Sequence, residues 1–407
     1  MQEDVLSLWD YVRIDEYQLP ADTLTHALKG GVAGLWQRLR DHKAQAGTVS
    51  QVAEDLHPLP QSLLDRVAPA PDWRLAASSL SATLTTWLDQ PAPALPALFI
   101  VGPPHNYNAH VLNLVAEAEG WTVLTPPTID QLLSQDPSWL SPLRDIEGVW
   151  VLPALERCYL RHPRGLSLVR QLFAELYQGI PGRGVIGCDS WAWAYLDHVV
   201  PSMRPVALSA QALQAKDMAH WFYWLADQAG GGQYVFRQSN SGDYVLSPLQ
   251  TDPDNTGDDV VSSPFLKHLA AYSRGIAGLA WELWRKRLRS APENELAEAA
   301  ENGLDSEGDA TIWVLPWDED EDPSPPDDEA HPEHILVLHG LLLHNGLTSE
   351  MLSHVLTLAP NSTTQALLEL QDAGLIECWD TLWRISAVGY PSVRRWLSNA
   401  GYLCDDF

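Results

Sequence analysis

The feature that most limits the fold of this chain is a rhythm between Leu98 and Leu208. Short, continuous apolar runs alternate with stretches of helical periodicity. The runs are Leu98–Val101, Trp121–Leu124, Gly148–Leu152, Gly184–Gly187 and Pro205–Leu208. Helical patterns fall between the first four, at Val111–Ala118, Ile129–Leu133 and Leu166–Tyr177. Strand-like runs that alternate with helices are the mark of a parallel α/β sheet. Runs that are apolar throughout suit strands covered on both faces. The expectation is a five-stranded parallel sheet across residues 97–210.

The flanking regions carry other patterns. Residues 1–90 are expected to be a helical region. Leu24, Leu28, Val32, Leu35, Trp36 and Leu39 recur at helical steps, and so do Trp73, Ala77, Leu80, Leu84 and Trp87. Residues 211–310 read as mostly helical, with a long helix over Phe265–Arg289. A hairpin is inserted there, with strands at Gln233–Arg237 and Tyr244–Ser247 around the turn Ser239–Asp243. Residues 311–330 read as an acidic linker, because Asp318–Glu329 carries no base. The short run Ile312–Leu315 finds no place in that scheme. Residues 331–407 read as a winged helix: helices at Ile335–His344, Ser349–Leu358 and Ser362–Ala373, a hairpin of Leu375–Trp379 and Leu382–Ile385, and a last helix at Ser392–Asn399.

Charge narrows the function. Fifty-three acids against 25 bases leave a net charge of −28. Such a chain repels phosphate backbones and anionic membrane surfaces. The winged helix has eight acids against Arg384, Arg394 and Arg395, a net −5. Its recognition helix holds Glu369 and Asp372 and no Lys or Arg. Thr363, Thr364 and Gln365 can reach bases there, but no base anchors the domain to phosphates. Nucleic acid is therefore not the expected ligand, and a basic protein partner is. No run reaches the ~18 apolar residues of a membrane span, and the N-terminus lacks the apolar core of a secretory signal. A cytoplasmic protein with no membrane insertion is expected. Cys158, Cys188, Cys378 and Cys404 form no CxxC pair, so neither zinc nor a disulfide framework is expected. The histidines His331, His334, His339 and His344 make no tight ligand set, and no metal site is expected.

The first apolar run leads into Gly102-Pro103-Pro104-His105-Asn106-Tyr107-Asn108-Ala109, followed by a helix. This segment resembles the Walker A motif, GPPGxGK[ST], of the AAA+ and STAND ATPases of the origin-recognition-like branch. A working loop needs glycines whose bare backbone wraps phosphates, a Lys on the β/γ-phosphates and a hydroxyl on Mg²⁺. Only Gly102, Pro103 and Pro104 are kept. His105 and Tyr107 replace glycines, Asn108 replaces the Lys and Ala109 the hydroxyl residue. The third run, Val149–Leu152, ends in Pro153 and Ala154 where Walker B has its acids, and Glu156 is out of register. The fourth ends in Cys188-Asp189-Ser190, near the family's polar sensor position. Leu269–Trp281 resembles a lid helix of these branches. The resemblance covers about residues 97–407. It implies a P-loop-type parallel five-stranded sheet with a helical N-terminal region, a helical lid and a C-terminal winged-helix domain.

Three groups of residues are candidates for contact. Gly102, Pro103, Pro104, His105 and Asn108 form the degenerate nucleotide site. Arg157, Arg161, Arg164 and Arg204 are candidates for an anion or a partner carboxylate, because guanidinium forks suit both. Against this stands internal pairing in a chain with twice as many acids as bases. Asp189, Trp191 and Trp193 lie at the carboxyl edge of the sheet, where ligands gather in open α/β folds; they are a candidate partner groove, with core packing as the alternative. No catalytic residue and no required cofactor emerge. The leading expectation is an adaptor, scaffold or regulator that is not an enzyme and acts through protein–protein contacts. The alternatives are an ATPase that binds ATP or ADP at a phosphate site rebuilt from arginines, and a winged-helix DNA-binding regulator. Proteins this chain resembles often form rings because one subunit's Arg completes the next subunit's site; a degenerate core lacks that reason, and a monomer, small oligomer or heteromer is expected.

Overall fold

A computed structural model describes residues 8–21, 56–91, 95–179, 182–200, 205–231, 234–246, 263–290, 311–317, 323–324, 333–356 and 358–407. The helix expected over residues 24–39, Arg204 and most of the acidic run lie outside these residues. The chain folds as two compact units. One is built from residues 9–17, 73–211 and 321–407, the other from 1–8, 18–72 and 212–320.

The first unit is built on a six-stranded sheet. Its strands are β1 (Tyr11–Arg13), β2 (Ala97–Gly102), β3 (Thr122–Val123), β4 (Val149–Leu152), β5 (Arg183–Asp189) and β6 (Ala207–Ala210). The spatial order is β1-β6-β2-β5-β4-β3. The five strands expected from the sequence are parallel, and β1 adds antiparallel to β6, Tyr11 opposite Ala210. Every residue of β2 is buried, as its continuous apolar run demands. The order is neither of the two common doubly wound ones. Here β5, the fourth parallel strand, lies between the first and the third. After β2 the chain crosses to the far edge at β3 and returns, and β6 ends on the other side of β2. The carboxyl end of β2 is therefore a topological switch point, where ligands bind in open sheets.

Small residues let this edge close. A Cβ on Gly187 would lie 2.2 Å from the Pro153 carbonyl oxygen and 2.5 Å from Leu112 Cδ1. The segment leaving β4 thus runs directly against β5. Helix Arg74–Leu88 packs on helix Asn108–Glu119, and its spacing buries Ala76, Ala77, Leu80 and Leu84.

The winged helix belongs to the same compact unit. Helices Glu333–Leu343, Ser349–Leu356 and Pro360–Asp372 carry a three-stranded sheet, Leu347–Thr348 beside Leu382–Ile385 beside Ile376–Trp379. Helix Tyr390–Asn399 follows. Nine of the eleven residues of Glu333–Leu343 are buried, more than one face of an amphipathic helix.

Four expectations differ from the structure outside the parallel sheet. Residues 211–310, expected as a helical lid with a hairpin insertion, also hold the strand Leu288–Ser290. They contribute to a five-stranded sheet in the order His57–Pro58, Leu288–Ser290, Thr311–Val314, Val235–Gln238, Tyr244–Leu246. The expected hairpin is its edge, with Phe236 opposite Leu246. Thr311–Val314 is a strand parallel to Val235–Gln238 rather than the start of a linker. The apolar side chains Ile312, Trp313 and Val314 are all buried, and the sheet gives the run its place. The long helix over 265–289 is two helices, Pro264–Tyr272 and Ala277–Arg287. They part at Gly275, whose φ is +74°, with Ala212 Cβ only 2.6 Å from where a Gly275 Cβ would sit. Residues 1–90 are likewise not helical throughout, since Tyr11–Arg13 and His57–Pro58 are strands. Trp284 anchors this core, stacked on Phe222 at 5.2 Å and tilted on Phe236 at 5.4 Å.

Gly187→Ala is expected to lower unfolding free energy by about 1–3 kcal/mol, the usual cost of overpacking a rigid site. Urea denaturation of the full chain measures it. An unchanged midpoint would show that β5 and the segment leaving β4 are not in fixed contact.

Candidate functional site

The carboxyl end of β2 runs through Gly102, Pro103 and Pro104 into His105, Asn106 and Tyr107, and helix Asn108–Glu119 begins. His105 and Tyr107 stand where the resemblance puts glycines, and both take the left-handed backbone glycine favours, with φ of +65° and +56°. The turn shape is thus kept without glycine. Packing holds it: Tyr107 stacks on Trp73 at 4.7 Å, and the His105 ring meets Tyr390 edge-on at 5.8 Å. The helix has no side-chain N-cap.

The Asn108 side chain packs against the start of the loop. Asn108 folds back beneath Gly102, with its Nδ2 2.4 Å from where a Gly102 Cβ would be. Asn108 Nδ2, His105 Nε2 and Arg384 Nε are all buried without a hydrogen-bond partner. Burial, with a smaller push from the Arg384 charge, lowers the His105 imidazole to about 4. His105 is therefore neutral near pH 7.

The ends of β4 and β5 form a buried polar cluster. Glu156 follows β4, and its Oε2 accepts the Asp189 backbone N–H at 3.1 Å. Burial raises the Glu156 carboxyl to about 7. Asp189 ends β5 and caps helix Ser190–Val199, accepting the Trp191 N–H at 2.9 Å. Burial, then the neighbouring Glu156, pushes its carboxyl well above the usual range. Cys158 and Cys188 are buried free thiols, both pushed up chiefly by burial. Nothing here makes a thiolate nucleophile.

The winged helix covers this edge. His344 receives the Arg161 backbone N–H on Nε2 at 3.3 Å, and its Nδ1 lies 3.4 Å from the Glu156 carbonyl. The Tyr159 hydroxyl donates to the Leu343 carbonyl at 2.5 Å. Trp191 Nε1 donates to the Tyr390 hydroxyl at 3.2 Å. The Ser190 hydroxyl donates to Asp405, which pairs with Arg394. Arg394 also donates to the Asp405 carbonyl at 2.7 Å and lies over the Trp191 ring at 5.7 Å.

These contacts settle where the sequence candidates lie. Asp189 and Trp191 are buried beneath the winged helix, and half-buried Trp193 packs on Phe99 at 5.4 Å. Residues of the C-terminal helix and tail, Tyr390, Arg394 and Asp405, lie against Trp191 and Ser190. Arg157 and Arg164 are exposed. The Arg161 charge acts on His339, His344 and Tyr195, so its surroundings are the winged-helix joint. Arg183 donates to the carbonyls of Trp87, Leu88 and Gln90 at 2.6–3.0 Å, an internal structural role. His334 pairs with Glu369 at 2.8 Å. Among the described residues no group of three His, Cys, Asp or Glu is arranged to hold a metal. No described helix is long and apolar enough to cross a membrane. The sequence marks Arg384 and Arg394 only as two of the three bases of their domain and gives no sign of Tyr390 or Asp405; no local motif marks any of the four, and their roles arise from distant packing.

No protein-family profile matches the sequence, and no curated protein matches it. Solved structures do. The RuvB Holliday junction branch migration motor of Thermotoga maritima is 12% identical, covering 87% of this chain and 97% of its own at a TM-score of 0.31. The Walker-type ATPase paby2304 of Pyrococcus abyssi is 11% identical, covering 84% and 99% at 0.30. The ORC1 protein of Aeropyrum pernix, solved in complex with DNA, is 13% identical, covering 84% and 96% at 0.31. With scores this low, the description of the fold rests on the strand order and packing above.

Two measurements follow from the joint. Arg394→Ala leaves the buried Asp405 carboxylate without its cation and is expected to cost about 3–5 kcal/mol, read by urea denaturation; a loss below ~1 kcal/mol would contradict the pairing. The pH dependence carries a definite sign. Burial holds His344 down to about 4, with a further push from Arg161, so the folded chain binds this proton less readily than the unfolded one. The stabilisation it allows is present above about 6.5 and is lost as pH falls through 4. Glu156 works the opposite way: its contribution is present below about 4.5 and lost as pH rises through 7. His344→Gln is therefore expected to reduce the slope of stability against pH between 4.5 and 6.5 by about 1.4 kcal/mol per unit. An unchanged slope would mean that His344 titrates normally.

Proposed function

We propose that this chain is a catalytically silent, AAA+/STAND-like adaptor that acts through protein–protein contacts. One observation carries the reading: the phosphate-loop position holds the Asn108 side chain, folded beneath Gly102, where a working loop would need open space and a Lys. In-line phosphoryl transfer needs charge on the β/γ-phosphates, a metal and a water-positioning acid. Asn108 and Ala109 supply neither the charge nor the hydroxyl. Glu156 is the acid near the end of β4, but it is buried and accepts the Asp189 amide. A carboxyl in that position is poorly placed to hold a metal beside a phosphate. The winged helix adds to the argument, since its residues cover the carboxyl edge of the sheet.

A second reading has one observation in its favour. Asn108 Nδ2 and Arg384 Nε are buried donors without partners, the Arg384 charge acts on His105, and the helix that follows has no side-chain cap on its first N–H groups. Such a set suits an anion. On that reading the chain binds ATP or ADP without a Walker lysine. A DNA-binding reading draws on the winged helix alone and meets the charge objection of that domain.

Calorimetric titration of the full chain with Mg-ATP and Mg-ADP separates the first two. The adaptor reading expects binding at millimolar Kd or weaker, worth at most ~4 kcal/mol, and no turnover above a protein-free control. Micromolar binding that falls at least tenfold in Arg384→Ala would replace it with the nucleotide-binding reading.

A further inference from the structure

Residues 402–407 belong to no helix or strand, yet their side chains are seated among distant parts of the unit. The Tyr402 ring meets His339 edge-on at 5.0 Å. The Asp405 carboxylate takes the Ser190 hydroxyl and the Arg394 guanidinium. The Phe407 ring meets Tyr17 at 4.7 Å. Asp405 and Phe407 are 5% and 4% exposed, while Asp406 between them faces solvent. That alternation is the one an extended segment shows when it lies in a recess.

The walls of this recess are held by contacts that do not involve the segment. Ser190 and Trp191 begin a helix capped by Asp189. Arg394 lies over the Trp191 ring at 5.7 Å, and Trp191 Nε1 donates to the Tyr390 hydroxyl. His339 belongs to the helix buried at nine of its eleven residues and meets Trp191 edge-on at 6.3 Å. Tyr17 lies just beyond the strand Tyr11–Arg13, which pairs with β6. A recess whose walls are fixed in advance has little order to lose on binding. The segment itself has no ladder or helical turn, the character of a part that opens below the free energy of global unfolding. With the segment away, a half-buried Arg394 and the Ser190 hydroxyl are left as donors, a pair that selects a carboxylate.

We infer that this recess is a peptide-docking groove occupied by residues 402–407 of the same chain, and that a partner segment carrying a carboxylate and, two residues on, an aromatic ring displaces them. Between those two anchors the chain's own segment carries Asp406, an exposed acid on a chain of net charge −28. A partner with a base at that position gains an attraction the resident segment lacks. The groove rests on the adaptor reading, to which it gives a surface and a partner chemistry.

The test uses the full chain and a fluorescently labelled peptide of residues 402–407 with Cys404→Ser, read by anisotropy. Phe407→Ala in the chain loosens the resident segment. The peptide is expected to bind the Phe407→Ala chain saturably and at least tenfold more tightly than the parent chain. Asp405→Asn or Phe407→Ala in the peptide is expected to weaken that binding at least tenfold, and Asp406→Lys to strengthen it at least threefold. Thermal melting checks the fold of the variant chain; should Phe407→Ala melt early, the Asp405→Asn chain takes its place. No saturable binding to a folded variant chain, equal affinity for variant and parent chains, or an affinity that the peptide substitutions leave within twofold would overturn the groove. So would loss of the fold in both variant chains, which would make the segment part of the core. Mg-ATP titration of the parent chain decides the adaptor reading and peptide binding decides the groove, so the two fail separately.

Discussion

A buried carboxylate must have its partners, and Asp405 takes its own from two parts of the unit. The Ser190 hydroxyl, at the start of the helix that leaves β5, donates to it. Arg394, from the last helix of the winged helix, pairs with it and also holds its carbonyl. An unpaired ion in that position would cost several kcal/mol. The winged helix is therefore fixed on the carboxyl edge of the sheet by a polar constraint as well as by apolar burial. The neighbouring contacts obey it: Arg394 lies over Trp191, Trp191 bonds to Tyr390, and Tyr390 meets His105. This chain of contacts runs from the tail of the protein to the loop after β2.

The chemistry of the edge follows from that cover. Switch points of open sheets are where ligands enter, because strand ends and helix starts converge there. Here the same convergence is used for packing. Glu156, Asp189 and His344 lose water, and burial drives each toward its neutral form. A cluster with its carboxyls pushed up by burial supplies less negative charge near neutral pH than free carboxylates would. The loop after β2 takes left-handed backbone at His105 and Tyr107, and their rings pack on Tyr390 and Trp73 while the Asn108 side chain lies against Gly102.

The five parallel strands could be read from sequence because strands buried on both faces have to be continuously apolar, as Ala97–Gly102 is. The winged helix could be read because its helices and hairpin are local and their turns are short. Failures came where the cause was distant. Tyr11–Arg13 became a strand because β6 offered it an edge. Thr311–Val314 is a strand because Val235–Gln238 pairs with it across a long separation in sequence. The break at Gly275 comes from the close approach of Ala212 and Leu213, which no helical periodicity encodes. At the site, the missing Lys and hydroxyl were plain in Gly102–Ala109. The cover was not, since Asp405 and Arg384 carry no motif. Trp191 was legible as a ring at the sheet edge, but whether a ring there faces a partner or the chain's own tail is a question of tertiary packing.

The loop after β2, where the proposed reading puts a phosphate site without catalytic power, is packed by the chain's own residues. The titration of His105, followed by NMR on the full chain with and without Mg-ATP, tests it most directly. A sealed loop predicts a midpoint near 4 and resonances that Mg-ATP leaves in place. A midpoint near the ordinary 6.5, or a clear displacement of the His105 resonances by Mg-ATP, would show the loop open to solvent and ligand and would contradict the account.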